Sequence, residues 1–257
     1  MELAGAGVVI TGAGRGIGAA MARRFAAGGA RVVVNDLDAA VAERVAAEIG
    51  GLAAPGDAAT DAGAGALVAR ARDHLGEIDL FCANAGVAVG GGPEAPDTGW
   101  ELSFQVNVMA HVYAARHLLP AWLERGRGRF LATVSAAGLL TMLGSAPYAI
   151  SKHAALAFAE WLSITYADQG IVTQALCPQG VRTDMLDQTT GAARALLDPA
   201  AIEPAEVADV VATALATTDF LILPHPEVAG WYAHRAAAPD RWQASLRTYW
   251  QTLQPPN

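Results

Sequence analysis

The stretch Val8-Val-Ile-Thr-Gly-Ala-Gly-Arg-Gly-Ile-Gly18 decides the fold, because it places four glycines within seven residues directly after a β-branched run. The β-branched run predicts a buried strand, and the alanine-rich residues 17–27 predict a helix. Glycines between a strand and a helix let the backbone turn sharply and approach a pyrophosphate at the helix N-terminus. A tight packing turn also fits these glycines, so on their own they do not assign a ligand.

The length allows one large α/β domain or two small ones, and the composition is that of a soluble globular protein. The 257 residues are 53% hydrophobic and 16% charged, and their net charge of −8 argues against nucleic acid and an anionic membrane as partners. No apolar run approaches the length of a membrane span, and the N-terminus lacks the pattern of a secretory signal. Cys82 and Cys177 lie in apolar, strand-like runs, which favours buried free thiols in a reducing compartment. We therefore expect a cytoplasmic protein.

Short β-branched runs alternate with longer alanine-rich segments along the chain. This alternation predicts a doubly wound parallel sheet of about seven strands with helices on both faces, in a single domain over residues 1–257. The predicted strands are residues 8–11, 31–36, 52–54, 78–83, 129–135, 171–176 and 220–223. The predicted helices are residues 17–27, 40–49, 62–74, 100–124, 148–167 and 205–215.

Two long irregular segments and a C-terminal extension stand outside this alternation. The irregular segments are residues 86–99 and 178–204, and we expect 178–204 to form a lid over a substrate. Residues 224–257 follow the last predicted strand and carry Trp231, Trp242 and Trp250. So many aromatic side chains predict that the extension packs on its own subunit or on a neighbouring one.

The second predicted strand ends in the sequence VVVND, which places Asp36 at its C-terminal tip. A carboxylate at this point can accept hydrogen bonds from the ribose of an adenosine. Alternatively, Asp36 caps the helix that follows. Together with the glycines, this carboxylate favours a bound dinucleotide.

Several further motifs follow in a fixed order. Gly12, Gly16 and Gly18 form G-x-x-x-G-x-G after Thr11, NAG follows the fourth strand, YAISK spans residues 148–152, and CPQGVRTDM spans residues 177–185. A serine stands thirteen residues before the tyrosine of YAISK. Over residues 5–223 the chain resembles the short-chain dehydrogenase/reductase (SDR) family. The resemblance implies a Rossmann-type fold and NAD(P)-dependent interconversion of a secondary alcohol and a ketone by hydride transfer.

The resemblance implies four catalytic residues, Asn107, Ser135, Tyr148 and Lys152. Tyr148 would be the general acid and base. Lys152 lies one helical turn away on the same face, and its ammonium together with an oxidised nicotinamide is expected to lower the pKa of Tyr148. Ser135 would hold the substrate oxygen, and Asn107 would hold a water that connects Lys152 to solvent. Taken singly, each of the four also fits an ordinary surface or core position.

The resemblance also implies the contacts to the cofactor. Asp36 would bind the ribose diol of NAD and repel the 2′-phosphate of NADP, so NAD is expected. Arg15 within the glycine loop points the other way, since family members that use NADP often carry a basic residue there. The implied cofactor-binding residues are Gly12, Arg15, Gly16, Ile17, Gly18, Asp36, Asp57, Ala58, Asn84, Ala85, Gly86, Tyr148, Lys152, Pro178, Gly180, Val181 and Thr183.

Two residues depart from the family pattern. Ala83 replaces an asparagine before NAG, which removes one hydrogen bond of that loop. Gln179 stands where the family has a glycine after Pro178, and a positive φ there would strain the glutamine or shift the turn by one residue. The nicotinamide contacts expected of Val181 and Thr183 depend on this turn.

The residues around the expected chemistry are apolar and indicate a medium or bulky hydrophobic alcohol or ketone as substrate. They are residues 87–89, residues 136–143, and Met185, Leu186, Leu196 and Leu197 of the lid. Ordinary core packing fits each of them as well. Arg182 could meet an acidic group of the substrate, and a solvated loop arginine fits the same position.

Other readings remain open at this point. The six histidines lack metal-ligand spacing, so no metal is predicted. Family members commonly form tetramers, and we expect this chain to form a homo-oligomer, a dimer or a tetramer. The chain could instead be a catalytically silent dinucleotide-binding regulator with the same fold. A different nucleotide-containing ligand, such as a methyl donor, would explain the glycines and Asp36 but would leave Tyr148 and Lys152 without a role.

Overall fold

The computed structural model describes residues 1–253, apart from the side chain of Ala192. The chain forms one sheet of seven parallel strands in the order β3-β2-β1-β4-β5-β6-β7, which confirms the predicted fold class. The order reverses between β1 and β4, and the carboxyl ends of those two strands therefore border a crevice. The strands are β1 Gly7–Ile10, β2 Arg31–Val34, β3 Leu52–Ala53, β4 Leu80–Ala83, β5 Gly128–Thr133, β6 Ile171–Leu176 and β7 Leu221–Ile222.

Helices cover both faces of the sheet and also form the lid and the C-terminal extension. They are α1 Gly16–Ala27, α2 Ala39–Ile49, α3 Asp61–Leu75, α4 Asp97–Phe104, α5 Ala110–Arg125, α6 Ala136–Leu140, α7 Ala146–Tyr166, α8 Asp184–Asp187, α9 Gly191–Leu197, α10 Pro204–Ala214, α11 Glu227–Ala237 and α12 Pro239–Thr252. A π-helical turn at Gln105–Met109 joins α4 to α5, and 3-10 turns lie at Ala167–Gln169 and Asp198–Ala200.

Alternate side chains of each strand pack into two separate hydrophobic cores, one on each face of the sheet. Val9, Phe81 and Phe130 point to the face that α3, α5 and α7 cover. Val8 and Ile10 point to the opposite face, against α1, α2 and α10. Strands that bury apolar residues on both faces are the signature of a covered parallel sheet, as the sequence pattern predicted.

The helix predicted at residues 100–124 is two helices rather than one. α4 ends at Phe104, a π-helical turn follows, and α5 begins at Ala110. The side chain of Asn107 lies inside this turn and bonds to the backbone of Val87, its Oδ1 accepting from the nitrogen at 3.0 Å and its Nδ2 donating to the oxygen at 3.0 Å. Because these partners lie twenty residues away, the helical periodicity alone could not reveal the interruption.

The C-terminal extension packs on its own subunit. α11 buries Val228 completely within the core that α7 shares, and Trp242 of α12 packs against the same core. The rings of His234 and Trp242 lie edge to face at 6.2 Å and join α11 to α12. Trp231 is 43% exposed, so it contributes little to this packing. Residues 254–257 of the extension lie outside the described residues.

Cys82 and Cys177 are free and buried, as predicted. Burial raises the pKa of the Cys177 thiol to about 12 and raises the pKa of Cys82 as well, so both stay protonated near neutral pH. Within residues 1–253, none of the helices combines the length and the apolar character that a membrane span requires.

Candidate active site

The glycine loop between β1 and α1 leaves no room for side chains. Gly12 has a φ of +61°, and a Cβ there would lie 2.9 Å from the Cα of Ala85. A Cβ on Gly18 would collide with the Gly12 carbonyl and lie 2.6 Å from Nδ2 of Asn84. α1 begins at Gly16 without a side-chain cap, so Gly16, Ile17 and Gly18 carry the amide groups of its first turn. A close-fitting backbone at an uncapped helix N-terminus fits the pyrophosphate of a dinucleotide.

Asn84 fixes the shape of this loop from the end of β4. Its Nδ2 donates to the carbonyl oxygens of Thr11 at 3.0 Å and Gly12 at 3.3 Å. The hydroxyl of Thr11 in turn accepts from the backbone nitrogens of Asn84 and Ala85, both at 3.0 Å. The Thr133 hydroxyl donates to Oδ1 of Asn84 at 3.1 Å. The ends of β1, β4 and β5 are therefore held together by one amide side chain.

Asp36 faces the glycine loop, and the helix cap after β2 is a different residue. Oδ2 of Asp36 accepts from the backbone nitrogen of Gly14 at 3.0 Å. Asp38 caps α2, because its Oδ1 accepts from the nitrogen of Ala40 at 3.0 Å. The alternative in which Asp36 caps this helix is therefore wrong, and its half-buried carboxylate is placed beside the expected pyrophosphate loop.

Two arginines lie near Asp36, and the sequence drew attention to only one of them. Arg15 forms ion pairs with Asp38 at 3.2 Å and Asp184 at 3.4 Å. Arg44 on α2, which sequence reasoning missed, donates through Nη2 to the carbonyl oxygen of Gly14 at 3.4 Å. Arg44 stands eight positions beyond Asp36 and is the sixth residue of α2, about one and a half turns into that helix, and this position was the available signal.

Asp57 and Ala58 lie in the turn between β3 and α3. Oδ1 of Asp57 accepts from the nitrogen of Ala59 at 2.9 Å. Asn35, at the end of β2, donates to the carbonyl oxygens of Ala54 at 2.9 Å and Gly56 at 3.1 Å, which ties this turn to the strand that leads to Asp36. The turn therefore borders the same side of the crevice as Asp36.

The structure brings Ser135, Tyr148 and Lys152 together. Ser135 follows β5 and caps α6, since its Oγ accepts from the nitrogen of Ala137 at 3.1 Å. Tyr148 lies in the first turn of α7, near enough to Ser135 that this hydroxyl lowers the pKa of its phenol, whereas the Oγ of Ser135 itself donates to the carbonyl of Pro178 at 3.4 Å. Lys152 is 3% exposed, its Nζ lies 5.7 Å from the centre of the Tyr148 ring, and it donates to the carbonyl of Thr133 at 3.0 Å.

Asn107 forms the back wall of this cluster. It is fully buried, and its Nδ2 donates to the hydroxyl of Ser151 at 3.0 Å as well as to Val87. Gly86 lies between Asn107 and Lys152, because a Cβ on Gly86 would be 3.3 Å from Oδ1 of Asn107 and 3.4 Å from Nζ of Lys152. All four predicted catalytic residues thus meet at the carboxyl ends of β4 and β5.

Burial dominates the electrostatics of the cluster. It lowers the pKa of Lys152 to about 8, because the ammonium loses its hydration. It raises the pKa of Tyr148, and the nearby Ser135 hydroxyl offsets only part of that increase. The expectation that Lys152 and an oxidised nicotinamide together lower the pKa of Tyr148 stays a prediction, because it concerns the protein with its cofactor bound.

The loop after β6 adopts an unstrained turn. Among residues 1–253, Thr141 is the one non-glycine residue with a positive φ, so Gln179 follows Pro178 without backbone strain, and Gly180 has no positive φ either. The backbone nitrogen of Gln179 donates to Nδ1 of His225 at 3.2 Å, and its Nε2 donates to Glu227 at 2.7 Å.

His225 is a structural residue that sequence reasoning left without a role. It is 3% exposed, and its Nε2 lies 3.1 Å from the carbonyl oxygen of Ala200. His225 therefore links the loop after β6 to the end of the lid. Within that loop Thr183 donates to the carbonyl of Val181 at 3.1 Å, and Val181 pairs with Ile202. The glutamine side chain at this position makes the contact to Glu227, whereas the bond to His225 comes from the backbone, which left no signal in the sequence.

The lid packs over the tyrosine, and its arginines are paired. Leu196 and Leu197 of α9 form one apolar cluster with Tyr148 and Met142. Leu186 is buried, whereas Met185 is 38% exposed. The paired arginines are Arg182, which lies 3.2 Å from Glu203, and Arg194, which lies 3.5 Å from Asp187 and 3.1 Å from Asp198.

The lowered pKa of Lys152 predicts a pH-dependent effect of Lys152→Met on stability. Between about 8 and the ordinary value of 10.5, the unfolded chain binds more protons at Lys152 than the folded chain does. The contribution of Lys152 to the free energy of unfolding therefore rises with pH across that interval. We expect the free energy of unfolding of the native chain to rise by about 3 kcal/mol relative to Lys152→Met between pH 8 and pH 10.5. Denaturant titrations of both proteins measure it, and a difference that stays constant with pH would contradict it.

Comparison with known proteins identifies the family. The family model of short chain dehydrogenases matches residues 6–193. A 1-deoxy-11-beta-hydroxypentalenate dehydrogenase from Streptomyces exfoliatus is 38% identical over 234 residues, which cover 86% of this chain and 84% of that protein. A cyclohexanol dehydrogenase from Acinetobacter sp. (strain SE19) is 33% identical over 213 residues, which cover 79% of this chain and 85% of that protein.

Solved structures share the architecture. A short-chain dehydrogenase/reductase from Burkholderia phymatum, in complex with NAD, superposes with a TM-score of 0.86 at 28% identity and covers 93% of this chain and 96% of its own. A 7 alpha-hydroxysteroid dehydrogenase complexed with NADH and 7-oxo glycochenodeoxycholic acid gives a TM-score of 0.78 at 25% identity over 86% of this chain and 94% of its own. The chain therefore belongs to the short-chain dehydrogenase/reductase family and is an oxidoreductase that acts on CH–OH groups.

Proposed function

We propose that this protein interconverts a secondary alcohol and a ketone on an uncharged, hydrophobic small molecule, with NAD as its cofactor. The observation that carries the proposal is the convergence of Ser135, Tyr148 and Lys152 beside a glycine loop that fits a pyrophosphate. When bound, the nicotinamide supplies the hydride chemistry. Gly12, Gly16, Ile17 and Gly18 would hold the pyrophosphate. The ribose would lie at Asp36, the adenine near Asp57 and Ala58, and the nicotinamide half along Asn84, Ala85, Gly86, Tyr148, Lys152, Pro178, Gly180, Val181 and Thr183.

The chain's own groups handle the substrate oxygen and its proton. The Tyr148 hydroxyl takes the proton from the alcohol during oxidation and returns it during reduction. The Ser135 hydroxyl donates a hydrogen bond to the same oxygen and stabilises negative charge that develops there. Lys152 stands one turn behind Tyr148, where its ammonium favours the phenolate, and a water beside Asn107 carries the proton onward. Because burial raises the pKa of Tyr148, this support must come at the moment of proton transfer.

Tyr148→Phe tests the mechanism. Removing the hydroxyl should lower kcat by about a thousandfold while NADH affinity, followed by the fluorescence of NADH, stays within about twofold, because the general acid and base is lost and the ring remains. Tyr166→Phe on the same helix is the matched control and should keep full activity. Turnover that survives Tyr148→Phe would contradict the mechanism. NADH binding by a native chain that turns over no alcohol or ketone would favour the silent regulator.

The ion pairs around Arg15 favour NAD over NADP. The Arg15 guanidinium is shared between Asp38 and Asp184, so its charge is already compensated. The carboxylate of Asp36 faces the loop itself, where it would repel a phosphate on the ribose. Arg44 reaches the carbonyl of Gly14, the residue whose backbone nitrogen bonds to Asp36, and it is the basic group that a phosphate could use once the carboxylate of Asp36 is removed.

Asp36→Ala therefore should reverse the cofactor preference. We expect kcat/KM for NAD to fall at least about tenfold and kcat/KM for NADP to rise, because a ribose-binding acceptor and a repelling charge are removed together. Glu43→Ala is the matched control, because it removes an exposed carboxylate from α2 and leaves Asp36 and the partners of Arg15 in place, and it should leave the cofactor preference unchanged. A native chain that already prefers NADP, with a preference that survives Asp36→Ala, would overturn the assignment of NAD.

The lid indicates an uncharged substrate. Its contact surface over Tyr148 is apolar, and its two arginines are held by their own carboxylates. The relatives carry names for both kinds of substrate, cyclohexanol in one case and a pentalenate in the other. An ionised carboxylate brought into this apolar surface would lose its hydration without gaining a free cation.

A panel of alicyclic secondary alcohols, each paired with a carboxylate-bearing analogue, tests the substrate class through absorbance of NADH. We expect the uncharged member of each pair to have a kcat/KM at least about tenfold higher, because the desolvation of a carboxylate remains uncompensated. Higher kcat/KM for the carboxylates would overturn this assignment. In that event, Arg182→Ala and Arg194→Ala would show which lid arginine releases its partner to bind the substrate.

We also propose a homo-oligomer, dimer or tetramer, in the cytoplasm. Ile150, Trp161 and Ile164 are exposed along α7. Apolar side chains at this helical spacing form a stripe that a second copy would cover. No metal takes part in the proposed chemistry.

A further inference from the structure

The C-terminal extension reaches the catalytic elements through one side chain. Nη1 of Arg235, on α11, donates to the carbonyl oxygen of Leu139 on α6 and lies 3.0 Å from Nε2 of His153 on α7. α6 begins directly after Ser135, and His153 directly follows Lys152. A single guanidinium thus joins the two helices that carry the proposed serine and the Tyr–Lys pair.

The hydrogen bonds of the His153 ring are consistent with its contact to Arg235. Its Nδ1 lies 2.8 Å from the carbonyl oxygen of Ala149. A carbonyl only accepts hydrogen bonds, so Nδ1 carries the proton. Nε2 therefore presents its lone pair, and the guanidinium of Arg235 donates to it. The imidazole fills the position as a neutral acceptor, with both of its nitrogens paired.

A displacement of α6 would displace Ser135, because α6 is short and tightly held at both ends. The helix is five residues long, and the Ser135 hydroxyl is its N-terminal cap. A Cβ on Gly138 would lie 2.6 Å from the carbonyl oxygen of Lys152, so α6 rests directly on the backbone of α7. Thr141, which ends α6, has a φ of +98°, a strained conformation that its surroundings must maintain.

We infer that Arg235 is a positioning residue, which holds α6 against α7 and thereby sets the Ser135 hydroxyl relative to Tyr148. This inference rests on the proposed function for its effect on turnover. Arg235 lies outside the sheet and beyond the residues that resemble the family. Its side chain bonds to α6 and α7 and not to the glycine loop or to β5. Arg235 touches both α6 and α7, and its influence on the serine is assigned to the contact with α6.

A double-mutant cycle with Ser135 separates positioning from a general structural role. Because small displacements of reacting groups cost rate steeply, Arg235→Ala should lower kcat about tenfold while NADH affinity stays within about twofold. In the Ser135→Ala background, Arg235→Ala should change kcat by less than about twofold, since the serine through which it acts is already gone. Arg241→Ala, an exposed arginine on α12, is the control and should leave kcat unchanged in both backgrounds.

Two further measurements keep the inference testable if Arg235→Ala loosens the extension. Arg235 borders an open cavity of about 690 Å³ between α6, α7, α11 and α12. Ethylguanidinium added to Arg235→Ala should enter this cavity and restore part of the lost kcat, with no effect on the native chain. In hydrogen exchange, the amides of Gly138 and Thr141, which bond within α6 at 2.9 Å and 3.1 Å, should exchange faster in Arg235→Ala than in Arg241→Ala.

The outcomes that would overturn the inference are distinct from failure of the proposed function. A kcat unchanged by Arg235→Ala, or the same loss in native and Ser135→Ala backgrounds, would show that Arg235 does not act through the serine. Equal exchange of the α6 amides in Arg235→Ala and Arg241→Ala would show that it does not hold α6. A native chain without any turnover would refute the proposed function, whereas the exchange measurement would still decide whether Arg235 holds α6.

Discussion

The rest of the site depends on the hydrogen bonds that the amide side chain of Asn84 makes. It bonds to the carbonyls of Thr11 and Gly12 and accepts from Thr133, so one side chain joins the ends of three strands. Gly18 must lack a Cβ because Nδ2 of Asn84 occupies that space. The glycine loop and the catalytic cluster are therefore connected through Asn84. A substitution that displaces one of them would displace the other as well.

The catalytic cluster shows how burial and chemistry oppose each other. Lys152 is almost fully buried, and its pKa of about 8 means that a charged form exists near neutral pH at a cost in stability. Tyr148 sits in surroundings that disfavour its ionised form. The carbonyl of Thr133 accepts a hydrogen bond from Lys152, the Ser135 hydroxyl lowers the pKa of Tyr148 in part, and Asn107 closes the cluster on one side. Such sites trade stability for reactivity.

Local patterns predicted the sheet and the catalytic cluster, because strands and a Tyr–Lys pair one turn apart leave short-range signals. The strand at 171–176 has the predicted bounds, and the other strands differ by one or two residues at their ends. Contacts between distant segments could not be predicted in this way. Arg15 pairs with Asp184 across 169 residues, and Gln179 meets His225 across 46. Each of these pairings depends on how the sheet brings distant loops together.

The attachment of the C-terminal extension at two points has an evolutionary consequence. Glu227 bonds to Gln179 in the loop after β6, while Arg235 reaches α6, so one helix touches two segments that border the site. α11 itself lies outside the sheet and carries none of the residues assigned to cofactor binding or catalysis. Substitutions on α11 can shift both segments by small amounts while all of those residues are kept. Selection can therefore adjust the geometry of the site through a helix that supplies none of its proposed functional residues.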